Sequence, residues 1–193
     1  LGHGRAVGST GTEPIFYLVF SPVEIIRVKT ALARTWIHRL ENDGWHVVTC
    51  SIADAIQSCL QTSKLRKLWL TSEKMLLAQS EASGTAFDSR EINQTLRKAL
   101  SKQSPTGELT IAPELATRLD QAMADAEAVP NGILLLTDLE ALHPYLRINT
   151  IEAYLTGRVK RPVVVLYPGT REGATSLKFL DFYPADPNYR SDH

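Results

Sequence analysis

The last third of the chain constrains the fold most. It runs Asn131-Gly-Ile-Leu-Leu-Leu-Thr-Asp138, continues as Leu-Glu-Ala-Leu-His-Pro-Tyr145-Leu-Arg147, and returns as Arg161-Pro-Val-Val-Val-Leu-Tyr167-Pro-Gly169. Two all-apolar runs of strand length flank a segment of helix length. A strand without polar alternation needs cover on both faces, which is the pattern of a strand–helix–strand crossover in a buried parallel sheet. The expected fold is therefore α/β: a three-layer sandwich with a mostly parallel sheet, ATPase-like in layout but lacking a phosphate loop.

The rest of the chain is read around that unit. Ile15 to Phe20 is a short, dense apolar strand. Ser21-Pro22-Val23-Glu24 has the form of a capping box, with Ser21 as N-cap, Pro22 at the first helical position and Glu24 reaching back. The helix is expected to reach about Asp43, with Ile25, Val28, Leu32, Trp36 and Leu40 on one stripe and Gly44 as its stop. Trp45 to Cys50 is a second strand, and the crossover should be right-handed if the two strands are neighbours. Helical patterns follow at 53–61, 64–79, 89–101 and 114–127, separated by loops at 80–86 and 102–107. Because the sheet resumes afterwards, residues 52–127 are expected as a helical insertion in a single domain spanning 15–183. A short helix should end near Leu155, before the basic turn Gly157–Arg161 and the strand Pro162–Tyr167. The stretch 169–175 is too short for a helical crossover, so Leu177 to Phe182 should return antiparallel as an edge strand. Residues 1–14 and 184–193 are expected as flexible tails.

Composition narrows the function classes. Lysine plus arginine and aspartate plus glutamate both number 21, so the formal net charge is zero. A protein that neutralises DNA phosphates by itself carries a basic excess or stripe. Autonomous nucleic-acid binding is therefore not expected, and phosphate contact by the basic turn Arg158–Arg161 stays a minor option beside a solvated turn. No apolar run reaches transmembrane length, and the first residues lack a basic-then-apolar signal pattern. Cys50 and Cys59 have no metal-ligand spacing and read as two buried free thiols, which fits a reducing cytoplasm.

The run ending in Asp138 looks like the acidic strand end that holds magnesium in P-loop ATPases, where a hard cation needs oxygen ligands. Such a site also needs a glycine-rich loop after the first strand. Here that position reads Ser21-Pro-Val-Glu-Ile-Ile-Arg-Val-Lys29-Thr30, with no glycine before the lysine, so Lys29-Thr30 is a coincidental pair. The five histidines are scattered, and His143 beside Pro144 reads as a turn residue before it reads as a general base. No nucleophile elbow is present. No catalytic residue, cofactor or metal ligand is therefore assigned. Open parallel sheets do bind ligands at the carboxyl ends of their strands, and Ser21, Asp138, Arg147 and Tyr167 should share that rim. Structural pairing of Arg147 with Asp138 or Glu140, and packing of Tyr167 under the edge, is the competing reading.

One resemblance adds to this. The segment Leu-His-Pro-Tyr145-Leu-Arg147-Ile-Asn149-Thr, then Pro162-Val-Val-Val-Leu-Tyr167-Pro-Gly169, then Ser176-Leu-Lys-Phe-Leu shortly before Asn188-Tyr189-Arg190, resembles the BrxB-type protein of bacteriophage exclusion (BREX) systems, a prokaryotic antiviral family. The opening Glu13-Pro-Ile-Phe-Tyr, followed by a proline-opened charged helix, is similar as well. The resemblance is specific over about 132–190. It implies an assembly component working beside a large ATPase, a DNA methyltransferase and a phosphatase-like protein, in host-DNA methylation and phage exclusion, and it carries no catalytic residues. The leading expectation is a cytoplasmic, non-catalytic adaptor whose partner anchors are Tyr145, Arg147, Tyr167, Tyr189 and Arg190. The alternative is a degenerate nucleotide-binding protein without ATPase activity, using Ser21, Asp138 and Arg147.

Overall fold

The computed structural model describes residues 14–103, 109–172 and 176–184. The tail expected at 1–14 and all of the C-terminal tail after Pro184 thus lie, apart from Pro14, outside the described residues. In chain order the elements are β1 (Ile15–Phe20), α1 (Ile25–Ala31), α2 (Ile37–Asn42), β2 (His46–Ser51), α3 (Ile52–Thr62), α4 (Arg66–Ser83), α5 (Arg90–Leu100), β3 (Ser101–Gln103), β4 (Leu109–Ile111), α6 (Pro113–Glu127), β5 (Gly132–Thr137), α7 (Ile148–Leu155), β6 (Val163–Glu172) and β7 (Ser176–Phe179). They form two compact units. The sheet unit takes the chain up to Cys50, Gln121–Thr137 and the chain from Leu155 onward; the helical unit takes Ser51–Asp120 and Asp138–Tyr154. The helical unit therefore differs from the expected insertion in two ways. The last turns of α6 belong with the sheet, and the loop and helix after β5 belong with the helices.

The sheet unit is α/β, with strand order β1-β6-β5-β2 and β7 paired to β6. β6 runs parallel to β1, with Ile15 opposite Val163 and Val19 opposite Tyr167. It also runs parallel to β5, with Leu134 opposite Val163. The predicted β5–α7–β6 crossover is thus present. All six residues of β5 are buried, as an apolar run without alternation requires. Ile133, Leu135 and Leu166 pack with Val28 and Leu32 on one side, joined by half-buried Trp36, Ile37 and Leu40. On the other side Leu134 and Val163 line a small cavity with Met123 and Ala126 of α6. Gly132 lets this layer close, because a Cβ there would collide with the Ala126 carbonyl. β1 and β2 lie at opposite ends of the strand order, so the crossover between them does not join neighbours.

The first helix is continuous from Ile25 to Asn42 but changes pitch. Leu32–Trp36 is a π segment between α1 and α2. The stripe Val28, Leu32, Trp36 and Leu40 repeats every four residues, whereas an α-helix turns every 3.6. An α-helix would rotate that stripe steadily off the sheet. The wider π turn absorbs the drift and keeps all four on the packed face. The capping box does not form. Pro22–Glu24 is a 3-10 turn in which Ser21 makes no side-chain cap bond; the Glu24 N–H donates to the Ser21 carbonyl at 2.8 Å. Glu24 accepts from Arg27 at 3.2 Å instead.

The four expected helices are present as α3 to α6, the last shared between the units, with α4 continuing to Ser83 through the start of the expected 80–86 loop. α3 follows β2 without a loop because Ser51 caps it, its Oγ accepting from the Asp54 N–H at 3.2 Å. α5 starts beside Asp88, which accepts from the Arg90 N–H at 3.0 Å and from its guanidinium at 2.6 Å. The expected loop at 102–107 is framed by an antiparallel ladder, with Ser101 opposite Ile111 and Gln103 opposite Leu109. Three-residue strands reading Ser-Lys-Gln and Leu-Thr-Ile are too short to show a period of two, so the ladder was hidden. Ile52, Ile56, Leu100, Ile111, Leu115, Leu119, Leu139, Leu142 and Ile151 are buried in the helical unit.

Candidate functional site

The residues between β5 and α7 form a displayed loop on an apolar base. β5 ends at Thr137, and Asp138 turns the chain in the left-handed conformation, φ 59° and ψ 35°. A 3-10 turn follows over Leu139–Leu142. Leu139, Leu142 and Leu146 are 0%, 0% and 3% exposed, so three buried leucines hold the loop from below. The Tyr145 and Leu146 N–H groups both donate to the Leu142 carbonyl, at 2.7 and 2.8 Å. The His143–Pro144 peptide is cis. Above this base Tyr145 is half-buried and Arg147 is exposed. The Arg147 carbonyl accepts from the Thr150 N–H at 3.1 Å, which opens α7. Asp138, Glu140, His143 and Arg147 each make contacts of their own.

The expected rim is divided. Asp138 and Arg147 belong to the helical unit, Ser21 and Tyr167 to the sheet unit. Tyr167 is a correction. It does not end a strand: β6 continues to Glu172 and folds back onto β7, pairing Gly169 with Phe179 and Arg171 with Leu177. Tyr167 is 0% exposed, edge-on to Tyr17 at 6.1 Å and to Phe179 at 5.5 Å between ring centroids. The aromatic ring is thus core, not a surface anchor. Gly169 makes this possible, since a Cβ there would meet both the Lys178 carbonyl and the Tyr167 ring. The return of β7 is antiparallel as expected, but the strand spans Ser176–Phe179 and turns at Leu180 rather than running on to Phe182. Tyr189 and Arg190 lie outside the described residues.

Other candidates resolve into structure. Lys160 pairs with Glu127 at 3.0 Å, and Arg161 donates to the Val129 carbonyl at 3.4 Å, so two cations of the basic turn tie it to the end of α6. Cys50 and Cys59 are free and buried. Burial pushes the Cys59 thiol above its usual range, with Glu114 adding to the rise and Arg118 opposing it. Among the described residues no group of histidine, cysteine and carboxylate side chains is placed to hold a metal. No helix there is long and apolar enough to cross a membrane.

A family model described as the BREX protein BrxB matches residues 57–193. The chain belongs to the BrxB family. Membership places it in BREX phage defence, together with other components of that system. The match begins at Gln57, within α3, and so covers the helical region from which the sequence strings drew no likeness. β1, α1, α2 and β2 lie ahead of it. Neither the curated proteins nor the solved structures yielded a match. Sequence reasoning missed the three leucines as the base of the loop, although their spacing at 139, 142 and 146 is helical and was the available signal.

Proposed function

We propose that this BrxB-family chain is a non-catalytic adaptor of a BREX-type complex, bound to one or more of a phosphatase-like protein, a DNA methyltransferase and a large ATPase. Its role is assembly in phage exclusion and the associated DNA methylation. The observation that carries this reading is the Asp138–Arg147 loop: an exposed arginine and a half-buried tyrosine on a base of fully buried leucines. Rigid display of tyrosine and arginine is what anchors an interface, whereas the strand-end position of β6, where a ligand rim would open, is occupied by the β6–β7 hairpin. Tyr145 and Arg147 are the proposed anchors, with Tyr189 and Arg190 as further candidates in the matched region.

Replacing Arg147 by alanine should abolish co-purification with the partner while leaving the thermal melt nearly unchanged. A collapsed melt would make Arg147 a structural residue and remove the anchor. The nucleotide alternative is tested in parallel by a thermal-shift titration with ATP and magnesium. A ligand at 100 times its dissociation constant stabilises by about 2.7 kcal/mol; the adaptor reading predicts no shift at millimolar nucleotide.

A further inference from the structure

The sheet ends in β1 on one side and in β2 on the other. At the start of β2 the His46 N–H donates to the Asn131 carbonyl at 3.0 Å. Backbone groups alternate in direction along a strand, so His46, Val48 and Cys50 turn theirs toward β5, while Val47 and Thr49 turn theirs away. Among the described residues no other strand pairs with that outer side. Proteins commonly blunt such an edge with lysine, proline or a bulge. β2 reads His-Val-Val-Thr-Cys-Ser, with neither lysine nor proline.

The same edge opens on a cavity of about 450 Å³. Its lining includes Trp45, Val47, Val48 and Val129, all half-buried, and the exposed Glu41 and His46. All of these lie within the sheet unit. Trp45 and Val47 pack on the core beneath α1 and α2. Val48 points to the opposite face of the strand, so the cavity reaches round the edge with apolar surface on both sides. Charge does not select what enters: Glu41 and Asp43 stand beside His38, Arg39 and His46, and Glu41 pairs with His38 at 3.4 Å. The backbone row does select. A helix bonds its own N–H groups and would leave those of Val47 and Thr49 unanswered, whereas an extended chain supplies both donors and acceptors.

We infer that the outer edge of β2 receives an extended segment of a partner protein, which joins the sheet as a further strand. This rests on the adaptor reading and names the mode of docking. The segment bonds the backbone of Val47 and Thr49. Its successive side chains fall on alternate faces, so one apolar residue rests on Trp45 and Val47 and the next on Val48.

The test compares the full chain alone with the complex recovered from a host carrying the complete BREX system, by residue-resolved hydrogen exchange. Strand addition predicts that the Val47 and Thr49 amides slow by at least about tenfold in the complex, while the Val48 amide, already turned to β5, changes far less. Thr49→Pro removes an outward N–H at a position where an edge strand accepts proline. It should lower recovery of the partner with a nearly unchanged melt, and Thr49→Ala, which keeps the N–H, should bind as wild type. Should Thr49→Pro fail to fold, the exchange pattern of the wild type still decides. A complex in which Val47 and Thr49 exchange as in the free chain would overturn the added strand and leave the adaptor reading standing. Equal slowing at Val47, Val48 and Thr49 would mean general shielding and overturn it as well. Slowing in the isolated chain as its concentration rises would make the occupant a second copy, against the inference. Wild type recovered without any BREX component would remove both readings.

Discussion

Strand β5 and helix α4 are both rich in leucine, yet every residue of β5 is buried and none of α4 is. The difference lies in geometry rather than in composition. A strand sends its side chains to two faces, and in the sheet unit each face of β5 has a layer of its own, from α1 and α2 on one side and α6 on the other. An α-helix spreads its side chains through a full turn. Leu68, Leu70, Met75 and Leu77 of α4 therefore point in directions that its packing against α3 and α5 leaves open, and they remain 42% to 61% exposed. One region is scaffold, completed within the chain; the other is surface. The Asp138–Arg147 loop combines the two, with buried leucines below and exposed polar groups above.

Mutations that treat the two regions alike would break this comparison. The largest effect is expected for Tyr167→Ala, which removes a fully enclosed ring and should cost about 3–5 kcal/mol in urea unfolding. A surface anchor would lose almost nothing. Leu136→Ala, at 0% exposure, should cost about 2–5 kcal/mol, whereas Leu68→Ala in α4, measured in dilute solution, should stay within about 0.5 kcal/mol. Comparable losses at the two positions would show that α4 is as buried as β5. Ser51→Ala should lose about 1 kcal/mol by removing the cap of α3, and Ser51→Asp should recover most of it. The smallest effect concerns Asp88. The Arg90 side chain, which donates hydrogen bonds to it, holds the Asp88 carboxyl down at about 2. Because that value is depressed in the folded chain, its support for the start of α5 is present above the ordinary carboxylate value of 3.8 and is lost as the pH falls through about 2. Protection of the Arg90 amide, taken relative to its intrinsic exchange rate at each pH, should fall over that window, and unchanged protection would separate the pair from helix initiation.

Much of the fold was legible because strong periods announce themselves. The runs 133–136 and 162–167 and the stripe from Val28 to Leu40 have one dominant pattern, and the expected return of Leu177 to Phe182 was right in direction though the strand ends at Phe179. What escaped was decided by contacts remote in sequence or by local backbone geometry. The β3–β4 ladder is too short to carry a period, and the π segment at Leu32–Trp36 is visible only as a four-residue spacing. Tyr167 looked like a strand end because Pro168 and Gly169 normally stop strands. Here Gly169 instead permits the close approach of β7 that continues one. The site was less legible than the fold. Arg147 and Tyr145 stood out by residue type, but the leucine base that displays them depends on packing.

The central claim is that this BrxB-family chain acts by holding other BREX components together. Affinity purification of the tagged full chain from a host carrying the complete system, followed by mass spectrometry, tests it most directly. The account predicts a methyltransferase, a phosphatase-like protein or a large ATPase in stable ratio with wild type and its loss with Arg147→Ala. Recovery of the chain with none of these, in both wild type and variant, would contradict it.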